Sequence, residues 1–353
     1  MIWKTQQGLL GIDFGTNAVK IAQTKKVNGF IYLQDATCAI TNRLAPLEMS
    51  IDQLPEMHWR AFRFACHSSE EFQRASAACL LPKSCASLQF LQVADDQPAD
   101  QRRTIESYLS SNVPGSSGLT WDFWSWSNNA DARNEENAGV VLTSRSLVEA
   151  TESTLRSSGI NCHAMDGVPT ALSRAVGMQS HRAGPVIALD WGVSEALLTI
   201  VVDDAPVFAR NLRGCGLGDA ISQCSQTLCL SEKEIAAVWH DSVLAGLSDS
   251  QQVEIRNAVT EFFTPVLHAV IDELQRTKEY LGSHRQSWSP VEIMLFGLGS
   301  LIPNVARNIG AGTELATSIW SPDSIIDSRS EASVPISLLA PAIATSALTW
   351  ESA

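Results

Sequence analysis

The sequence predicts a two-lobed α/β fold with a small α+β subdomain inserted in the first lobe. Three observations carry that prediction. An apolar strand ending in Asp-x-Gly opens the chain as LLGIDFG and returns as VIALDWG at 186–192. Each copy leads through a short turn into another strand, AVKIAQTK after the first and EALLTIVVD after the second. Between the copies, from about 85 to 163, the texture changes to a strand–helix–strand–strand–helix–strand series, which reads as a unit of its own.

The elements follow in order. Residues 8–34 alternate as strand, turn, strand, turn, strand, with Gly15-Thr16-Asn17 and Val27-Asn28-Gly29 supplying the turn chemistry. Positions 50–74 read as helix, and ASAACLLP as a buried strand closing at Pro82. Within the insert, ASLQFLQV is a strand and DQRRTIESYLSSNVP a helix stopped at Pro114. LTWDFWSWS is an aromatic strand, NNADARNEEN a polar loop, GVVLTS a strand, and SRSLVEATESTLRSSGI a capped helix. After the second Asp-x-Gly unit comes the strand APVFARNL, and 217–284 is mostly helical. VEIMLFGLGSLIPNVARNIG runs from a buried strand through a glycine turn into a helix, and a last helix follows Pro335 and Pro341. The expected limits are 1–84 with 164–183 for the first lobe, 85–163 for the insert and 184–353 for the second lobe. That second lobe includes a mostly helical part at about 213–287.

A chain of 353 residues has room for about two domains of ~150 residues. At 45% apolar and 18% charged residues, it has the composition of a globular protein with a sizeable core. A net charge of -13 without a dense basic patch argues against nucleic acid or anionic lipid as a partner. The eight cysteines form no CxxC pair and match no histidine spacing, so zinc is not expected and reduced buried thiols are. The opening residues lack a signal-peptide pattern, and no run approaches 18 apolar residues. A cytoplasmic location, peripheral to a membrane only through partners, is the expectation.

Chemistry concentrates in the turns. Asp13-Phe14-Gly15-Thr16-Asn17 offers glycine for close approach of the backbone to an anion, two polar side chains and a carboxylate placed to hold hydrated Mg²⁺. Lys20 is the lone cation beyond it. By itself such a stretch is only a turn, and it is not a Walker A loop, because no Gly-Lys-Ser/Thr follows. Asp190-Trp191-Gly192-Val193-Ser194 repeats the formula, and Gly297-Leu298-Gly299-Ser300 ends a buried strand before a helix. Two such hairpins facing a cleft grip one nucleotide between two lobes.

Taken in this order and spacing, the three elements resemble those of the actin-like ATPase superfamily, with its duplicated ribonuclease-H-like fold. Within it the chain is most similar to the PilM-like proteins of type IV pilus assembly. LLGIDFGTNAVKIAQ resembles their first phosphate motif, NLRGCGLGDAIS with LSEKEIAAVW the stretch after the second, and MLFGLGSLIPNV the adenosine motif. LRSSGINCHAMDGVPTALSRAV and VLHAVIDELQRTKEYL resemble their connecting elements, so the likeness spans nearly the whole chain. It implies ATP and Mg²⁺ as ligands. Asp13, Gly15, Thr16, Asn17, Lys20, Asp190, Gly192, Ser194, Gly297, Gly299 and Ser300 are then the nucleotide-binding positions. Asp13 and Asp190 would reach Mg²⁺ through bound water. It also implies a PilN-like inner-membrane partner whose short peptide docks between the first lobe and the insert, with pilus motor ATPases as further partners. Tyr108, Trp121 and Trp124 are the candidate docking residues, although the default reading of an aromatic strand is plain core.

Departures from the motifs weigh against turnover. Glu195 and Ala196 follow Ser194 where small hydroxyl residues are usual, Leu298 interrupts a glycine pair, and Cys215 follows Gly214 in place of a second glycine. Asp166 is the one candidate for a catalytic base, and its favoured reading is a cap on the helix that carries Pro169. The expectation is an adaptor with at most weak ATPase activity. The alternatives are a small-molecule kinase or phosphatase of the same fold, an FtsA-like division protein and a GspL-like secretion adaptor.

Overall fold

In this computed structural model, the described residues are 5–41, 54–67, 69, 72, 76–93, 97–126, 136–179, 184–238, 248–327 and 334–350. Most of the polar loop NNADARNEEN, and the parts of 50–74 outside these ranges, lie beyond the described residues.

Alternating apolar residues build β1 (Thr5–Phe14), β2 (Ala18–Val27) and β3 (Phe30–Ile40), an antiparallel meander in which Asp13 lies opposite Lys20. Helix α1 (Glu56–His67) packs on this meander through Trp59 and Phe62, whose rings meet Phe14 edge-on or tilted. Strand β4 (Ser76–Leu80) runs parallel to β1. After a 3₁₀ turn at Lys83–Cys85, the insert begins. It comprises β5 (Ala86–Leu91), α2 (Pro98–Asn112), β6 (Leu119–Ser125) and β7 (Ala138–Ser144), its sheet ordered β5-β7-β6.

Next come α3 (Arg145–Ser157), β8 (Asn161–Asp166) and α4 (Val168–Gly177). The second lobe repeats the meander as β9 (Val186–Trp191), β10 (Ala196–Val202) and β11 (Ala205–Leu212). Helices α5 (Gly218–Leu228), α6 (Glu232–Ala237) and α7 (Asp249–His284) follow. Then come β12 (Glu292–Phe296), α8 (Val305–Thr313), β13 (Ala316–Ile319), β14 (Ile325–Asp327) and α9 (Ile336–Ser346). Strand β9 is buried at every position because helices cover both faces of its sheet, hence its apolar run from Val186 to Leu189 ahead of Asp190.

The two main sheets share one plan. The first runs β14-β3-β2-β1-β4-β8 and the second β11-β10-β9-β12-β13. Without β14, each is a meander followed by two parallel strands on the far side of its first strand. Asp13 and Asp190 are each the last residue but one of that first strand.

Topology moves the expected limits in two places. Helix α3 and strand β8 belong to the first lobe, since β8 pairs with β4 and Leu147 and Leu155 of α3 enter the first lobe's core. The insert therefore narrows to 86–144. From the C-terminal half, β14 pairs with β3 and α9 packs across β1, where the Ala342 carbonyl lies 1.9 Å from the place a Cβ on Gly11 would take. The last helix also begins after Pro335 and carries Pro341 in its interior, rather than following both prolines. None of the described helices is long and apolar enough to cross a membrane.

Candidate functional site

The turns at the ends of β1 and β9 meet in a cleft of about 310 Å³ between the lobes. Asp13, Gly15, Thr16, Asn17, Lys20, Asp190, Gly192, Ser194 and Gly297 all line it. His58 braces the first turn from behind, its ring Nε2 3.0 Å from the Gly15 carbonyl. Burial outweighs that contact and lowers the His58 pKa, so the neutral ring donates here. The second turn is held by backbone groups at the start of α5: Leu217 N–H donates to the Gly192 carbonyl and Gly218 N–H to that of Val193. Gly216 is required there, since a Cβ would lie 2.4 Å from the Ser194 carbonyl oxygen.

Each acid is held by a lysine. Lys20 Nζ lies 2.7 Å from Asp13 Oδ2, a contact set by their direct opposition across β1 and β2. In the second lobe the residue opposite Asp190 is Leu197, so no local cation exists. Lys83 fills the place from the first lobe, its Nζ 2.7 Å from Asp190 Oδ2 and 3.2 Å from the Asp190 carbonyl oxygen. Sequence reasoning missed Lys83. Its only local signal is a lysine directly after the proline that ends a buried strand.

The charges act on one another. Burial disfavours the charged Lys20 ammonium, yet Asp13 and Asp190 outweigh it and raise Lys20 above its ordinary value. Burial likewise lifts the Asp190 carboxyl, but Lys83 and Lys20 together hold it below the usual carboxylate range. Glu195 lines the same cleft, and there burial pushes its carboxyl up, helped by Asp190 and opposed by Lys83. Ser194 Oγ is buried without a hydrogen-bond partner and so remains available to a ligand.

The Mg²⁺ role drawn for Asp13 and Asp190 asks only for contact through bound water, and each carboxylate engages its lysine through Oδ2, so Oδ1 of each is the atom that would meet that water. Both carboxylates already hold an ammonium group, and the four charges cancel. Among the described residues no three His, Cys, Asp or Glu side chains gather into a metal site.

Three candidates leave the cleft. Ser300 is buried under the second lobe's glycine turn, donating to the Gly297 carbonyl at 2.7 Å and meeting Ser337 Oγ at 2.9 Å. Gly299 serves packing, since a Cβ there would lie 2.3 Å from the Trp191 ring. Asp166 is absorbed by local structure: Oδ1 accepts from Gly167 N–H at 2.7 Å and from the Thr170 hydroxyl, and Oδ2 from Arg174 at 3.1 Å. This is not the expected cap, since the N-cap is Gly167 and no side chain caps the helix; Asp166 sits one residue earlier and binds the Gly167 N–H and the helix side chains Thr170 and Arg174. Leu298 does line the cleft, whereas Cys215 lies in the second lobe's core and accepts from Trp191 Nε1 at 2.7 Å.

A second concavity of about 310 Å³ separates the insert from the first lobe. Edge strands β6 and β8 flank it, with Trp121, Val141, Val148 and Met165 among its walls. The Arg102 guanidinium stacks 4.7 Å from the Trp121 ring at the rim. The three predicted docking residues do not converge. Trp124 points to the opposite face of β6, where its Nε1 donates to the Pro206 carbonyl at 2.8 Å. Gly139 makes room for that ring, and Phe90 stacks on Phe208 beside it, so this face docks the insert on the second lobe. Tyr108 lies half-exposed on a shallow surface of α2, apart from Trp121.

No family model matches the chain, and no curated protein matches it in sequence. Solved structures do. A chain of the PilM-PilN type IV pilus biogenesis complex matches over 96% of this chain and 97% of its own, with a TM-score of 0.73 at 17% identity. The ethanolamine utilization protein EutJ from Carboxydothermus hydrogenoformans matches over 96% and 88%, with a TM-score of 0.51 at 11% identity. The fold is that of the actin-like ATPases, with a mixed α/β architecture repeated in two lobes.

Proposed function

We propose that this protein is a cytoplasmic adaptor of a type IV pilus machine or a related secretion machine. It receives a short peptide of a PilN-like inner-membrane partner, and ATP in the interlobe cleft serves to hold the lobes together. The observation that carries this reading is the groove between the insert and the first lobe. Two strand edges, unpaired among the described residues, flank it, and an edge accepts an extended peptide through backbone hydrogen bonds while pockets between side chains select its sequence. Trp121, stacked under Arg102, supplies an aromatic anchor at the rim. Likeness over nearly the whole length to a chain of a pilus complex supports the same reading. Pilus motor ATPases would meet this scaffold from the cytoplasmic side, and the attachment to the membrane is through the partner.

A kinase or phosphatase of this fold needs a base beside the phosphates. Asp13 and Asp190 are held by lysines and Asp166 by its own helix, which favours the adaptor. The reading is tested by titrating the protein with the cytoplasmic N-terminal peptide of a PilN-like protein, followed by fluorescence anisotropy. Saturable binding that Trp121→Ala weakens about tenfold or more, as for an aromatic hot spot, supports the groove. An absence of binding, or equal affinity in the variant, rejects it.

A further inference from the structure

We infer that Cys79 and Cys162 form a redox-active thiol pair, which a peroxide joins as a disulfide, and that this closure moves the β8 wall of the groove beside the insert. The thiol chemistry stands by itself; its effect on peptide docking rests on the reading of the groove given above. All eight cysteines are free in this structure, and Cys162 Sγ lies 4.0 Å from Cys79 Sγ. The two sit on neighbouring parallel strands, β8 and β4. Cys79 is buried in the first lobe's core at 2% exposed, whereas Cys162 is half-buried, packs on that core and also lines the groove. One sulfur is open to a small solute and the other is sheltered behind it, as in a sensing thiol with a resolving partner.

A bulge makes the pair. Between the pairings Ala77–Cys162 and Ala78–Ala164, β8 carries one residue more than β4, His163. Strict alternation would put Cys162 and Met165 on opposite faces, yet both pack on the same core. The bulge turns them to one side and leaves the ladder locally disrupted. A disulfide needs its sulfurs about 2.0 Å apart. The approach falls on β8, whose other edge is unpaired among the described residues and flanks the groove.

The reaction balances with a peroxide as the two-electron oxidant. The Cys162 sulfur attacks one peroxide oxygen and the O–O bond breaks; the thiol proton leaves with the departing oxygen as water, and a sulfenic acid remains. The Cys79 sulfur then attacks the Cys162 sulfur. The S–S bond forms, the S–O bond breaks, and the hydroxide takes the Cys79 proton as a second water. Cys162 is the thiol that starts. A hydrogen bond from Cys79 lowers it, against burial and Glu152, while burial pushes Cys38 and Cys66 up to about 11 and 12.

The test is hydrogen peroxide treatment of the full chain, alkylation of the remaining thiols, and mass spectrometry of its peptides without reduction. The expected result is a peptide pair joined through Cys79 and Cys162 that dithiothreitol separates. In Cys79→Ala, Cys162 should instead stop at a sulfenic acid that dimedone traps. Unlinked, alkylated Cys79 in the oxidised chain, or linkage of Cys162 mainly to another cysteine, overturns the inference. The groove is read by repeating the titration with the PilN-like peptide. Oxidation should weaken binding about tenfold, the worth of one or two edge hydrogen bonds, and dithiothreitol should restore it. Unchanged affinity in the linked protein overturns the effect on the groove. If the reduced protein binds no peptide, the adaptor reading fails, and the mass spectra still decide the thiol pair.

Discussion

Lys83, at the root of the insert, reaches across the molecule to place its ammonium group 2.7 Å from Asp190 Oδ2 in the second lobe. Both side chains are largely withdrawn from water, at 17% and 7% exposed. Removing one partner of such a pair strands the other charge, which costs more than the pair itself contributes. Lys83→Met alone should therefore lower stability by about 3 kcal/mol, and adding Asp190→Asn should recover most of it. Urea unfolding of the two variants measures the difference; equal stability of the single and double variants would refute the argument.

His58 gives the fold a pH dependence of definite sign. Its pKa is lowered in the folded state, so the unfolded chain binds the proton more readily. Its contribution to stability is fully present above the unfolded value, about 6.5, and is lost as pH falls through the lower folded value. His58→Gln retains a donor for the Gly15 carbonyl but cannot titrate. Urea midpoints of this variant should change less than those of the native protein between about pH 7 and 5.

How much of this was legible beforehand depends on how local each signal is. Asp13 and Asp190 could be read because strand, acid and glycine turn follow one another within a few residues. The Lys20 contact follows from strand register alone. Lys83 could not be found that way, since its partner lies on another lobe and nothing near Pro82 names it. Gly299 and Ser300 show the converse failure: a glycine in a turn before a helix reads as room for a ligand, yet here the room is taken by Trp191. Alternation placed Trp121 and Trp124 on opposite faces of β6, so one groove could never have used both. The insert's far boundary was misplaced because β8 has the same texture whether it pairs with β4 or with an insert strand.

Gly297 and Gly299 fix the second lobe's turn by sterics. Gly297 has φ +76°, and a Cβ there would lie 2.5 Å from Asp190 Oδ1. Gly297→Ala should cost about 2–4 kcal/mol from the left-handed backbone and the clash combined. Gly299→Ala should cost about 1–3 kcal/mol by displacing the Trp191 ring. Thermal unfolding of each variant provides the check.

The two tryptophans of β6 should separate in their effects. Trp124 is half-buried between the insert and β11, its Nε1 bonded to the Pro206 carbonyl, and Trp124→Ala should destabilise by about 3 kcal/mol, the low end for tryptophan truncation. Trp121 stands partly open at the groove, and its truncation should cost only about 1–2 kcal/mol of folding. Paired denaturation curves distinguish them, and reversal of this order would place the binding face on the wrong side of the strand.

Helix α9 closes the core of a lobe whose strands were made hundreds of residues earlier, with Thr24 N–H donating to Ser346 Oγ at 2.9 Å. During synthesis β1 and β2 therefore leave the ribosome with an apolar face uncovered. They stay so until residues 336–346 have followed. Folding that waits on contacts so distant in sequence is slow and prone to association meanwhile. A cell making this protein must shelter the half-built first lobe until its last helix arrives.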